Sequence, residues 1–242
     1  GSIGKDDIWI TRRLEDGTWS KPVNAGDSIN TYGEEMTPFI HADNKTLYFS
    51  SNQRIGMGGQ DIYKIKRKGF NKWGSPQNLG YPINTQKDES GLIVNTSGDT
   101  AYFASDRFES KGNLDIYSFI LPEPLRPQAT TYLKGVVFDA SDQERLEAHF
   151  RLTALSSQEV VAASASDAIT GALLLSLPTN ERYALTVKKD GYMMYSDNFD
   201  LSGLHSKAEP FKKDIPLKPI QSGQSVTLQN VFFELDKHQL KG

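Results

Sequence analysis

Apolar residues along this chain come in short alternating bursts, and no stretch holds a helical period. Thr37 to His41 alternates about Phe39, and Thr46 to Ser51 is a run rich in aromatic and β-branched residues. Asp61 to Lys66 sets Ile62 and Ile65 among polar neighbours, and Gln77 to Leu79 is a brief fourth burst. Turn formers lie between them: Ala42-Asp43-Asn44-Lys45, Gly56-Met57-Gly58-Gly59 and Lys68-Gly69-Phe70-Asn71. Short period-two segments bounded by Gly, Asn and Asp predict β-strands, because alternate side chains of a strand face opposite sides of a sheet.

The pattern repeats. Asp7-Ile8-Trp9 returns as Asp61-Ile62-Tyr63 and again as Asp115-Ile116-Tyr117, each time 54 residues on. The same offset joins Trp19 to Trp73, Pro22 to Pro76, Asn24 to Asn78, Gly26 to Gly80, Ile29-Asn30-Thr31 to Ile83-Asn84-Thr85, and Glu35 to Glu89. It also joins Leu47-Tyr48-Phe49-Ser50-Ser51 to Ala101-Tyr102-Phe103-Ala104-Ser105. Four strands per period is the arithmetic of a β-propeller blade. Residues before Gly26 then supply the last two strands of one blade, residues 27–80 a full blade, and residues 81–120 three strands of another. Closure needs at least four blades. The expectation is therefore a partial propeller over residues 1–122 whose other blades precede residue 1, with a last blade lacking its outer strand. Such open edges are expected to make the isolated chain associate.

Pro122, Pro124 and Pro127 predict a stiff extended linker over residues 123–131. Beyond it, strands are expected at Tyr132 to Asp139, Ala148 to Leu155, Glu159 to Ala163, Gly171 to Leu177, Arg182 to Lys188 and Phe211 to Leu217. Their spacing predicts a small Greek-key sandwich over residues 132–219. Ala163 to Gly171 reads as a loop. A further strand from Val226 ends near Asp236, a candidate helix N-cap. The fold class is thus all-β throughout.

Composition narrows the chemistry. The net charge of −3 gives no footprint for nucleic acid, and no apolar run is long enough to span a bilayer as a helix. Cysteine is absent, which removes thiolate nucleophiles, thiolate metal sites and disulfides together. His41, His149, His205 and His238 show no metal-ligand spacing, so no metal or other cofactor is expected. Gly26-Asp27-Ser28 has the outline of a hydrolase elbow. Its equivalent, Gly80-Tyr81-Pro82, has no serine, and no strand–turn–helix setting surrounds it. Asp7, Asp61 and Asp115 could bind Ca²⁺ or exchange protons, but an Asp that recurs in every repeat more simply holds turn amides. Trp9, Trp19 and Trp73 read as blade core rather than as a sugar-stacking platform. Glu35 and Glu89 open the innermost strands and are the candidates for partner contact at a central channel. No catalytic residue is assigned, and a non-enzyme is expected.

Three resemblances add to this reading. Glu35…Pro38-Phe39-Ile40…Asp43…Leu47-Tyr48-Phe49-Ser50-Ser51…Gly58-Gly59…Asp61-Ile62-Tyr63 resembles the TolB-type, WD-like propeller repeat. Gly135-Val136-Val137-Phe138-Asp139, Asp167…Gly171…Leu173…Leu175 and Tyr183…Leu185…Val187…Lys189…Gly191-Tyr192 resemble the carboxypeptidase regulatory-like sandwich. Asn230-Val231-Phe232-Phe233-Glu234-Leu235-Asp236-Lys237…Leu240 resembles the opening strand of the OmpA-family peptidoglycan-binding domain, whose truncated start would occupy residues 224–242. This order of modules is similar to that of Bacteroidetes envelope proteins, some belonging to type IX secretion. The resemblance implies a periplasmic scaffold at the outer membrane, with envelope or secretion-system proteins as partners. Peptidoglycan would be held only through OmpA-like positions beyond residue 242. The alternative is a propeller that gates an envelope hydrolase or serves it as a glycan-binding accessory; no α/β-hydrolase pattern follows the propeller.

Overall fold

The computed structural model describes every residue except 13, 15–17, 70, 204, 206–207 and 222–242. The described chain is all-β apart from one 3-10 turn at Glu123–Leu125, and it divides into two units, Gly1–Thr130 and Thr131–Gly242. The OmpA-like strand expected from Val226 lies outside the described residues.

In the first unit β1 (Trp9–Ile10) pairs with β2 (Val23–Asn24). Next, β3 (Glu35–Ile40), β4 (Thr46–Ser51) and β5 (Asp61–Gly69) form an antiparallel sheet, with β6 (Lys72–Trp73) and β7 (Gln77–Asn78) on the free edge of β5. A three-stranded sheet follows: β8 (Glu89–Val94), β9 (Thr100–Ser105) and β10 (Asp115–Ile120). The sequence offset of 54 is also a structural one. Asp61 lies opposite Ser51 and Asp115 opposite Ser105, while Ile62 faces Ser50 and Ile116 faces Ala104. Even the irregularities recur, between Met36 and Phe39 in β3 and between Ser90 and Ile93 in β8. No closed propeller is formed among the described residues.

Alternation along β4 explains how the sheets pack. Leu47 and Phe49 point to one face, where they meet Ile8, Ala25, Ile29, Tyr63 and Ile65. Tyr48 points to the other and joins Ile62, Leu79 and Ile83 against Leu92, Val94, Ala101 and Phe103 of the next sheet. A central strand apolar on both faces can be buried on both faces, and β4 is buried along its whole length.

The proline-rich segment departs from expectation. Instead of running as an extended linker it belongs to the first unit through Thr130. Leu121 and Leu125 are buried in the cluster shared by the second and third sheets. The Tyr48 hydroxyl donates to the Leu125 carbonyl at 2.7 Å and Lys64 Nζ to that of Pro124 at 2.7 Å. The prolines stiffen the backbone, but Leu121 and Leu125 decide where it lies.

The second unit has two four-stranded sheets. One holds β14 (Ala172–Pro178), β11 (Thr130–Asp139), β17 (Phe211–Lys212) and β18 (Ile215–Leu217), the last two parallel to β11. The other runs β13 (Val160–Ala165), β12 (His149–Ala154), β15 (Arg182–Lys188), β16 (Tyr195–Asp200), all antiparallel. Leu133, Val137, Leu173 and Leu177 from the first meet Phe150, Leu152, Leu185 and Val187 from the second in one core. Parallel pairing brings the Lys213 carbonyl over Gly135, where a Cβ would stand 2.1 Å from that oxygen, so only glycine fits. The expected loop begins three residues later than read, at Ser166, and turns around Asp167 Oδ1, which accepts the Ile169 and Thr170 amides.

Candidate functional site

The recurring polar residues of the first unit form a frame. Asn30 clamps the backbone of Ile8, its Oδ1 accepting the Ile8 amide and its Nδ2 donating to the Ile8 carbonyl, both at 2.9 Å. Asn84 does the same to Ile62 at the same distances. The clamps are held in turn by Asn24 and Asn78, whose Oδ1 atoms accept from Asn30 and Asn84 at 2.8 Å. Those oxygens also accept the amides of Gly26 and Gly80. Both glycines sit at positive φ (85° and 70°), the left-handed turn that carries the chain from return strand to clamp.

Glu35 and Glu89 lie inside this frame, with 2% and 0% of their surface exposed. Glu35 accepts from the Thr31 amide and hydroxyl and from the Ser51 hydroxyl, and Glu89 from Thr85 and Ser105 in the same way. Direct partner contact at a channel was the expectation for this pair. Carboxylates so enclosed act as internal acceptors that tie each inner strand to the preceding turn. What hid this from the sequence is that Thr31 and Ser51 meet Glu35 only after β3 pairs with β4.

The recurrent Asp residues hold turn amides. Asp7 accepts from Ile3 and Gly4, Asp61 from Met57 at 2.6 Å, and Asp115 from Lys111 at 2.6 Å. Desolvation alone would raise the Asp7 pKa, but hydrogen bonds from Ile3, Ser2, Asn24 and Gly4 hold it below its ordinary value. Asp43 is the most strongly affected. Burial pushes it up, yet the adjacent His41 ring and hydrogen bonds from Lys45 and Thr46 win and keep it far below the usual carboxylate range. His41 is buried: its Nδ1 accepts the Asp43 amide, so Nε2 carries the proton donated to the Asn95 carbonyl at 2.9 Å. His149 is exposed, His205 packs edge-on against Phe211, and His238 lies outside the described residues. No group of three or more His, Asp or Glu among the described residues is placed to hold a metal. Ser28 is half-buried, and its carbonyl accepts Arg54 as that of Pro82 accepts Arg107, so the two turns are built alike.

Three surface features remain. A cleft of about 470 Å³ between the second and third sheets is lined by Thr37, Gln60, Lys87, Asp88, Ser90 and Asn113 among others. Thr37 adopts φ 47°, a conformation costly for a β-branched residue, and its Oγ1 accepts the amide of its own equivalent, Gly91, at 3.0 Å. The second feature is the tryptophans. Expected as core, Trp9 and Trp19 are 45% and 65% exposed, and only Trp73 packs, half-buried under Arg67. Neither Trp9 nor Trp19 packs in an apolar cluster among the described residues, whereas Tyr63, the equivalent of Trp9, is covered. The third is the open side of β10, where Ile116 and Ile120 are 82% and 68% exposed.

No protein-family model and no curated protein matches the chain. Among solved structures it is similar to S.CueP, at 16% identity over 52% of this chain and 77% of that one, with a TM-score of 0.29. It is also similar to a group B streptococcus pilus 2b backbone protein, at 10% identity over 76% and 97% of the two chains, TM-score 0.34. A minor pilin of Streptococcus agalactiae stands at 13% identity over 70% and 73%, TM-score 0.30. Scores at this level assign neither a family nor an activity.

Proposed function

We propose that this chain is a non-enzymatic scaffold of the cell envelope. Its first unit is a section of a TolB/WD-like β-propeller, and its second a carboxypeptidase regulatory-like sandwich. The setting is a periplasmic, outer-membrane-associated protein that reaches peptidoglycan through an OmpA-like domain, in a module order similar to that of the type IX secretion component PorE. The observation that carries this reading is the repeated frame. At fixed positions of the repeat, asparagine and glutamate tie each sheet to the segment leading to the next and aspartate holds the turns, the organisation of a repeat-built platform rather than of a reaction centre. Surface aromatics such as Tyr32 and Tyr81, 84% and 78% exposed, are then free to meet partner proteins.

A photo-crosslinking residue at Tyr32 or Tyr81, in the intact protein in cells, should capture envelope or secretion-system proteins. Fractionation should find the protein with the outer membrane and peptidoglycan. A purely cytoplasmic distribution, or turnover of peptide, ester or glycan substrates by the purified chain, overturns the proposal.

A further inference from the structure

The second and third sheets of the first unit provide an internal control for one surface. In the second, the outer edge of β5 is fully engaged. β7 pairs with it, placing Asn78 opposite Tyr63 and Gln77 opposite Lys64. The Leu79 amide donates to the Ile62 carbonyl at 3.1 Å, and the Asn84 side chain closes on the amide and carbonyl of Ile62. The same return segment supplies Leu79 and Ile83, which pack with Ile62 and, together with Leu92 and Val94 of the third sheet, leave it 1% exposed. The first sheet repeats the arrangement, with Ala25 donating to the Ile8 carbonyl and Asn30 clamping Ile8.

In the third sheet everything inward of this edge is present. β10 pairs with β9 in the register that β5 keeps with β4, so the backbone of Ile116 is turned outward as that of Ile62 is. Outward of it, no strand lies against β10 among the described residues. Ile116 is 82% exposed where Ile62 is 1%, and Tyr102 is 44% exposed where Tyr48 is 0%. An unpaired edge with outward amides and an apolar row is a template for strand addition.

We propose that the outer edge of β10 is a docking site for a return strand of this same repeat. The occupant has the pattern Asn-x-Gly-x-x-Ile-Asn-Thr, found in this chain at Asn24–Thr31 and Asn78–Thr85. Its strand residues pair with Tyr117 and Ser118, the equivalents of Tyr63 and Lys64. Its glycine turns the chain through the left-handed region, its isoleucine covers Ile116, and its second asparagine clamps the Ile116 amide and carbonyl. Backbone pairing gives affinity, and the asparagine clamp gives selectivity over any other extended peptide. The inference stands on the match between the two sheets and holds whether or not the repeats close into a propeller.

The test uses the whole chain, isotope-labelled for NMR, and a synthetic peptide copying Pro76–Thr85, titrated to millimolar concentration. The titration is run at a protein dilution where sedimentation shows a monomer before the peptide is added; the amides of Asp115–Ile120 should then shift and exchange more slowly, and those of β5 should stay unchanged. A peptide with both Asn78→Ala and Asn84→Ala should bind about tenfold more weakly or worse, as expected when clamp hydrogen bonds go unmade. No response at β10 overturns the proposal, and so does equal binding of the two peptides. A dimer in which β10 is already protected without peptide also overturns it, because the occupant would then be a second copy. Failure of crosslinking at Tyr32 or Tyr81 would count against the envelope reading and leave this result untouched.

Discussion

The second unit buries its strands in one continuous apolar core, in which both sheets contribute residues such as Leu152, Tyr183, Leu185 and Leu217 at 0–1% exposure. The first unit divides its apolar residues into two smaller clusters on opposite faces of β4 and β5, and adds to them the frame of Asn, Glu, Thr and Ser. A two-sheet sandwich needs only hydrophobic facing and lets many similar side chains do the same work. A stack of sheets must also fix the step from each sheet to the next, and directional groups do that where apolar ones slide. The first unit should therefore be more sensitive to loss of a hydrogen bond, and the second to loss of volume.

The largest expected effect tests the volume half of this contrast. Leu152→Ala empties space at the centre of the second unit and should cost about 3–5 kcal/mol. Hydrogen exchange resolved by segment should show faster opening of β12 and β15 and unchanged β4 and β5. A loss below about 1 kcal/mol would mean that this core relaxes around the gap, and would break the comparison.

Next in size is the clamp. Asn84→Ala leaves the Ile62 amide buried without a partner and its carbonyl with the Leu79 amide alone, at a cost of about 1–3 kcal/mol. Asn30→Ala, which frees Ile8, should match it within about 0.5 kcal/mol if the repeats are energetically as well as geometrically alike. A large gap between the two variants would show that the frame is held mainly from one end.

These contrasts were unevenly legible in the sequence. The 54-residue spacing and the strands within it could be read because each repeat carries its own landmarks, and the second copy checks the first. The polar roles could not. Glu35 reads as an exposed acid until Thr31, Ser51 and the Asp6–Glu35 backbone bond enclose it. Trp9 and Trp19 read as core because their type is usually buried, but burial depends on a neighbouring sheet, and none covers either of them among the described residues. β16 escaped because Tyr-Ser-Asp-Asn-Phe-Asp is full of turn formers. Pairing with β15, and Phe199 packing on Tyr183 at 5.7 Å, override that local preference. The prolines at 122, 124 and 127 suggested a spacer for the complementary reason: Leu121 and Leu125 find their partners only in three dimensions.

A smaller effect is expected at Asp43, where the frame meets the segment leading out of the first unit. Its carboxylate accepts from Lys45, Thr46 and the Gln128 amide. Asp43→Asn keeps one acceptor oxygen and places an NH₂ group among donors, a loss of about 1–2 kcal/mol at neutral pH. The sign with pH is fixed by the depressed pKa. A carboxyl that ionises more easily folded than unfolded contributes fully above its unfolded value, about 3.9, and loses that contribution as pH falls toward the folded value. The penalty of the substitution should accordingly shrink below pH about 4, in urea melts resolved by exchange at β3 and β4. A penalty independent of pH between about 6 and 2.5 would mean that packing, not charge, explains this site.

The smallest expected effect is at Ser28, and it separates frame residues from residues that merely occupy a turn. Gly26, Ile29 and Asn30 around it all have fixed tasks: the left-handed turn, the apolar cluster and the clamp. The group that Ser28 gives to the structure is its backbone carbonyl, which accepts Arg54 Nη2 at 3.0 Å and is untouched by a side-chain change. The equivalent residue, Pro82, makes the matching bond to Arg107 without a hydroxyl. Ser28→Ala should therefore change stability by no more than about 0.5 kcal/mol, the range of a substitution away from special features. A larger loss in thermal melts would place the Ser28 hydroxyl inside the frame. An esterase or peptidase rate abolished by the change would make the serine a nucleophile, and the contrast would then be between an active unit and an inert one rather than between two ways of packing strands.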